Sequence, residues 1–188
     1  MNSLFRLSLL IILVFTIVAF SYSSQLSLAQ NSTSSSSSQP PAAFVKSFEK
    51  LVKEAHNLTQ SYQNEIGKWK AHQYDNKTMI SVTSNYLAKY ENLVNESKTL
   101  QPPKQYQNAT DIYTKSLESE LQSYIHFRNY LSTNNSTENE LSSKFLDDAF
   151  KYEIDSFKAL KSSGMFRIVQ GPGASISCSL LEYYSLLY

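Results

Sequence analysis

The chain has 188 residues, 17 of them basic and 16 acidic, with one cysteine. A near-neutral balance with no run of Lys or Arg argues against a nucleic-acid partner, which calls for a basic excess gathered on one face. One cysteine permits no internal disulfide, so folding has to rest on packing.

Arg6 precedes an uncharged apolar run, Leu7 to Phe20, and the segment ends in Ser27-Leu28-Ala29. This is the layout of a secretory leader, with a basic start, an apolar core of about 7–15 residues and small residues before the cut. The alternative is an uncleaved anchor, because the run extended to Ala29 approaches the roughly 20 residues that span a bilayer. Either way the positive-inside rule keeps Arg6 in the cytoplasm and sends the rest outside. Residues 1–29 are therefore a signal peptide or signal anchor, and the remainder is extracytoplasmic, secreted or held at the membrane. Without Arg6, sixteen basic side chains face sixteen acidic ones.

Residues 30–43 contain the serine run Ser34 to Ser38 followed by Gln39, Pro40 and Pro41. Such a segment has too little apolar surface to offset the entropy of ordering it, which predicts a flexible tether.

Residues 44–164 then repeat with the period of a helix. In the first helix, from about Pro41 to about His72, Val45, Val52 and Ile66 form one column with Thr59 as the exception. Phe48, Ala55, Tyr62 and Trp69 form a second column, flanked by Phe44, Leu51 and Leu58. Three columns make the wide stripe of a core-facing helix. Asp75 and Asn76 supply turn chemistry. The second helix repeats Met79, Tyr86, Leu93 and Leu100 every seven residues, and Pro102 and Pro103 stop it and open the third.

The third helix carries Tyr106, Tyr113 and Phe127 in one column, with Leu117, Tyr124 and Leu131 beside it. Glu120 interrupts the first column, either as a mis-phased surface residue or as an inward carboxylate facing a cavity. Ile112 and Ile125 fall off the stripe, which predicts burial on more than one side or a small change of phase. After the polar break Ser132 to Ser136, Thr137 and Glu140 predict a capping box. The fourth helix presents Leu141, Phe145, Leu146, Ala149, Phe150, Ile154, Phe157 and Leu160, and Gly164 is placed to end it as a left-handed cap. Connections of a few residues make sequential helices antiparallel, so the expected fold is all-α, an up-down four-helix bundle. A pair of hairpins completed by a second copy is the alternative, which would make the chain a homo-oligomer.

Residues 165–188 form an apolar tail broken by Gly171-Pro172-Gly173. From Ile176 onward it is too short to span a bilayer as a helix. It either docks on the bundle or contacts a partner or membrane surface.

The clearest chemical motif is the asparagine acceptor, Asn followed two residues later by Ser or Thr. It occurs at Asn31, Asn57, Asn76, Asn95, Asn108, Asn134 and Asn135, seven of the twelve asparagines after the leader. Asn57, Asn95 and Asn108 take the heptad position farthest from the core, where a glycan would not disturb packing. Asn64 and Asn129 point the same way without the motif.

Catalytic patterns are missing from the sequence. His56, His72 and His126 lack metal-ligand spacing, the four glycines make no phosphate loop, and no serine sits in a nucleophile elbow. The expectation is a non-enzymatic chain with no cofactor and no metal. Thirteen tyrosines remain. A phenol can bury its ring and bring its hydroxyl to the rim, so most belong to the core. The sharper reading is an interhelical groove for a ligand, with Tyr86, Tyr90, Tyr113, Glu120 and Tyr124 as its candidate residues. The leading functional expectation is a cell-surface or secreted helical module that acts through protein or envelope contact. The second is an extracytoplasmic small-molecule sensor or carrier with that aromatic groove.

Overall fold

The computed structural model describes residues 42–163 and Met165. The signal segment 1–29, the tether up to residue 41, Asn31, the cap at Gly164, Cys178 and the tail 166–188 fall outside the described residues.

The described chain is all-helical. Four helices follow one another: α1 Ala42–Lys70, α2 Asn76–Thr99, α3 Gln107–Thr133 and α4 Ser136–Ser162. Ala42 and Ala43, assigned to the tether on composition, already belong to α1. The ends differ from expectation in three places. Asp75 is the N-cap of α2, its Oδ1 accepting the Thr78 N–H at 2.7 Å, as a short carboxylate before a helix should. Pro103 opens a short 3-10 turn, Lys104–Tyr106, and the α-helical ladder of α3 begins only at Gln107. The capping box at Thr137 and Glu140 does not form. Asn134 takes a left-handed conformation, φ 54°, and turns the chain so tightly that Asn135 becomes the N-cap, accepting the Thr137 N–H at 3.0 Å.

Helix α3 holds the domain together by presenting different side chains to each neighbour. Toward α1 it offers the column Tyr113, Glu120 and Phe127, which Tyr106 of the preceding 3-10 turn begins. Phe44 stacks on Tyr106, Phe48 meets Tyr113 edge-on at 5.2 Å, and Trp69 meets Phe127 at 5.4 Å. Toward α2 it offers Tyr124, whose ring lies 5.0 Å from that of Tyr90, and Glu118, which pairs with Lys98 at 2.7 Å. Helices α1 and α2 are joined directly by Tyr62 and Thr83, whose hydroxyls are 2.9 Å apart in the buried core. Of the two readings of α3, burial on several sides is the one found.

Along the line of closest approach to α4 the helix offers small residues at seven-residue spacing: Ala109, Ser116 and Ser123. They face Ser156, Ala149 and Ser142, and all six are buried. Ser156 donates to the Ala109 carbonyl at 2.8 Å, Ser116 donates to the Ala149 carbonyl at 2.8 Å, and Ser123 and Ser142 approach to 3.3 Å. Each step of seven forward on α3 meets a step of seven back on α4, so this seam is antiparallel and in register. Small side chains let two backbones come close enough for a hydroxyl to reach across to a carbonyl that already serves its own helix.

This seam corrects the expected inner face of α4. Ser142, Ala149, Ser156, Phe157 and Leu160 are its buried residues, while Leu141, Phe145, Leu146 and Ile154 are half-buried and Phe150 is 41% exposed. The large apolar side chains flank the seam because the small ones occupy it.

Ser116→Val should therefore destabilise the fold by about 2–4 kcal/mol, from one lost hydrogen bond and an overpacked contact. Ser156→Ala, which removes only the bond, should cost about 1 kcal/mol. Denaturant unfolding against an exposed control, Ser132→Ala, measures both, and equal midpoints for all three would refute the seam.

Candidate functional site

The two interruptions seen in the sequence meet. Thr59 breaks an apolar column of α1, and Glu120 breaks the column of α3 that faces it; their side chains hydrogen-bond at 2.8 Å, Thr59 Oγ1 to Glu120 Oε1. Tyr124, one turn along α3, donates to the same Oε1 at 2.5 Å. Tyr90 of α2 hydrogen-bonds the Thr59 hydroxyl, and Thr59 Oγ1 also lies 3.0 Å from the Ala55 carbonyl. Tyr90 also hydrogen-bonds the Glu120 carboxyl.

Proton counting over the Thr59 and Tyr124 contacts favours a neutral Glu120. Thr59 has one hydroxyl proton and two acceptors, the Ala55 carbonyl and Glu120 Oε1. A neutral Glu120 resolves the conflict by donating its own proton to Thr59 Oγ1, which frees the threonine proton for Ala55. Tyr90 and Tyr124 then donate to Thr59 and Glu120, and all four contacts carry a proton. An ionised Glu120 leaves one contact without any. Burial acts in the same direction: it raises the Glu120 carboxyl above the ordinary range, against the lowering effect of hydrogen bonds from Tyr124, Tyr90 and Thr59.

A second carboxyl lies near the first. Glu153 of α4 stands between Leu146 and Leu160 in its heptad column, and its pKa is raised to about 7, first by burial and then by repulsion from Glu120. No hydrogen bond or ion pair holds the Glu153 carboxyl among the described residues. Both acids are almost wholly enclosed by protein, yet each keeps part of its surface open to a water-sized molecule.

The candidate groove residues separate into three places. Tyr90 and Tyr124 surround Glu120, but their exposures of 0% and 2% make them packed positioning groups rather than an open lining. Tyr86 is half-buried beside them, its ring 4.9 Å from Tyr62 and its hydroxyl 2.6 Å from Ser61. Tyr113 lies two turns before Glu120, buried against Phe48 and Phe157. The candidate tyrosines therefore do not line one open aromatic groove. Glu153 was missed because a glutamate in an otherwise amphipathic helix carries no signal until its neighbours are known.

The other candidates are placed as follows. Asn57, Asn76, Asn95, Asn108, Asn134 and Asn135 are all exposed. Asn76 accepts from the Trp69 indole at 2.9 Å, and Asn135 is engaged as a cap. Asn129, expected to face outward, is half-buried and donates to Glu138. His126 meets Glu138 at 2.8 Å through Nδ1 and stacks on Phe145. Among the described residues no group of three or more His, Cys, Asp or Glu side chains could hold a metal ion, and no helix is long and apolar enough to cross a membrane. Comparison of the chain with protein-family models, curated proteins and solved structures finds no match.

A carboxyl that binds its proton more tightly when folded than when unfolded contributes stability that is complete below the unfolded pKa and is lost as pH rises toward the folded one. For Glu153 that window runs from 4.5 to about 7. Stability should therefore fall by roughly 2–3 kcal/mol across it, and Glu153→Gln should flatten the dependence. Urea midpoints at pH 4.5, 6 and 8 test this; an unchanged slope in the variant would remove Glu153 from the enclosed site.

Proposed function

We propose that this chain is an exported, non-enzymatic helical module that acts by binding, with its four helices closed up and down around a crevice at Glu120 that receives a small molecule. The observation that supports the reading is a carboxyl set among apolar columns at the meeting of α1, α2 and α3 and held there by the hydroxyls of Thr59, Tyr90 and Tyr124. A protein that needed only stability would do as well with an apolar side chain there, because burying an ionisable group is costly unless it is fully bonded. The non-enzymatic part rests on the sequence, which supplies no nucleophile-base pattern and no cofactor motif.

Export is supported by Arg6, the apolar run behind it and the Ser27-Leu28-Ala29 end. The serine tether would hold the bundle away from the envelope, and the exposed acceptor asparagines leave room for glycans. An intact mass that begins near Gln30 and carries added sugar is expected of the exported protein. An unmodified full-length mass in the soluble fraction would count against export and glycosylation together.

A thermal-shift screen of neutral, anionic and cationic small molecules tests the binding role. At about 100 times the dissociation constant a ligand adds ~2.7 kcal/mol, a rise of roughly 5–10 °C for a domain of this size. The wild type should respond to at least one class and Glu120→Gln should not. A screen that moves neither protein, or both equally, sinks the crevice reading.

A second reading, contact with a protein or envelope surface, draws support from α4, where Phe150 is exposed and Leu146 and Ile154 are half-buried. It predicts that the wild type self-associates or floats with lipid vesicles and that Phe150→Ser weakens both. A wild type that is monomeric and stays off vesicles removes it.

A further inference from the structure

We infer that a second copy of this chain docks on the outward face of α4, the two α4 helices running antiparallel and meeting at Phe150. The inference rests on the surface-contact reading of α4 given above and names the partner. Among the described helices α4 packs mainly on α3. Away from that seam it carries Phe150, the one large apolar side chain that is exposed among the described residues, with half-buried Leu146 and Ile154 one turn before and after it. Ala149 and Ser156, which face α3, lie on the far flank of this stripe.

The order of charge beside the stripe identifies the occupant. Asp147 and Lys151 follow Leu146 and Phe150 by one residue, which puts both on the same edge, and Glu140 and Lys158 extend that edge by one heptad in each direction. All four are exposed; Glu140, Asp147 and Lys151 make no ion pair among the described residues, and Lys158 reaches Asp155 only at 3.8 Å. The edge is thus acidic toward the start of α4 and basic toward its end. A parallel copy would set acid against acid, whereas an antiparallel copy sets acid against base. Reversal about Phe150 brings Leu146 level with the partner's Ile154. It also brings Asp147 and Glu140 to within two residues, ~3 Å, of the level of the partner's Lys151 and the partner's Lys158. Two-fold symmetry forms each pair twice.

The same charges argue against a lipid surface as the occupant. Helix α4 carries six acidic residues and four lysines, and a helix that lies on an anionic membrane is instead rich in Lys and Arg on its polar face. One helix from each copy makes a small contact, so the pair belongs with transient interfaces. Because the flanking ion pairs are exposed, they set register and orientation more than affinity, and salt screens them.

Sedimentation equilibrium of the full chain over a concentration series tests the assignment, in reductant so that Cys178 cannot bridge two copies. The wild type should pass from monomer to dimer as concentration rises. Asp147→Lys, shown to be folded by its melting curve, should weaken the dimer about tenfold or more, because it creates two like-charge contacts. Combining it with Lys151→Asp should restore the dimer, since the reversed edge is again self-complementary. In a Cys178→Ser background, Phe150→Cys should cross-link to its own copy on oxidation, and Ser143→Cys on the same stripe should not. Cross-linking at both positions, a dimer indifferent to Asp147→Lys, or a double reversal that fails to restore it would each overturn the proposal. So would a monomeric chain that dimerises only after residues 166–188 are removed, which would assign the stripe to the tail. A wild type that stays monomeric yet floats with lipid vesicles through Phe150 removes the second copy and leaves the contact reading. One that is monomeric and stays off vesicles removes both.

Discussion

The close approach of α3 and α4 is the constraint on which the remaining arrangement depends. Three small residues on each helix, seven apart, allow serine hydroxyls to reach the opposite backbone. A leucine at any of these positions would push the helices apart. Because the seam is narrow, α4 lies on α3 rather than between its neighbours, and its larger apolar side chains fall to either side. That displacement leaves Phe150 facing solvent.

The same constraint makes α3 the shared helix. One face is committed to small residues, so the column that meets α1 has to supply most of the large-side-chain packing, through Tyr106, Tyr113 and Phe127. Glu120 stands in that column and is accommodated by a local solution, in which Thr59, Tyr90 and Tyr124 supply hydroxyls where aliphatic groups would otherwise pack. A buried acid held by neutral donors can remain in a core as long as it keeps its proton, because the neutral carboxyl both donates and accepts. Its ionised form has no counter-charge among the described residues.

Functional places are often those where a core departs from plain packing, since local rules are satisfied elsewhere. Here the departures are few and converge. Thr59 and Glu120 are 61 positions apart in the chain and touch. Glu153, on a third helix, likewise interrupts a column that is otherwise apolar.

The sequence by itself determined the helical class, the position of the four helices to within a few residues, and the proline and asparagine breaks between them, because apolar periodicity and turn chemistry are local properties. It also marked Thr59 and Glu120 as exceptions. Only the tertiary structure decided that the exceptions meet, that serines form the α3–α4 seam and that Asn135 rather than Thr137 begins α4. A serine reads as polar in a pattern, and whether it lies in water or against a carbonyl depends on how closely another backbone approaches. The inner face of α4 was misread for that reason: hydrophobicity ranks Phe150 above Ser156, whereas the space between two closely packed helices admits only the smaller.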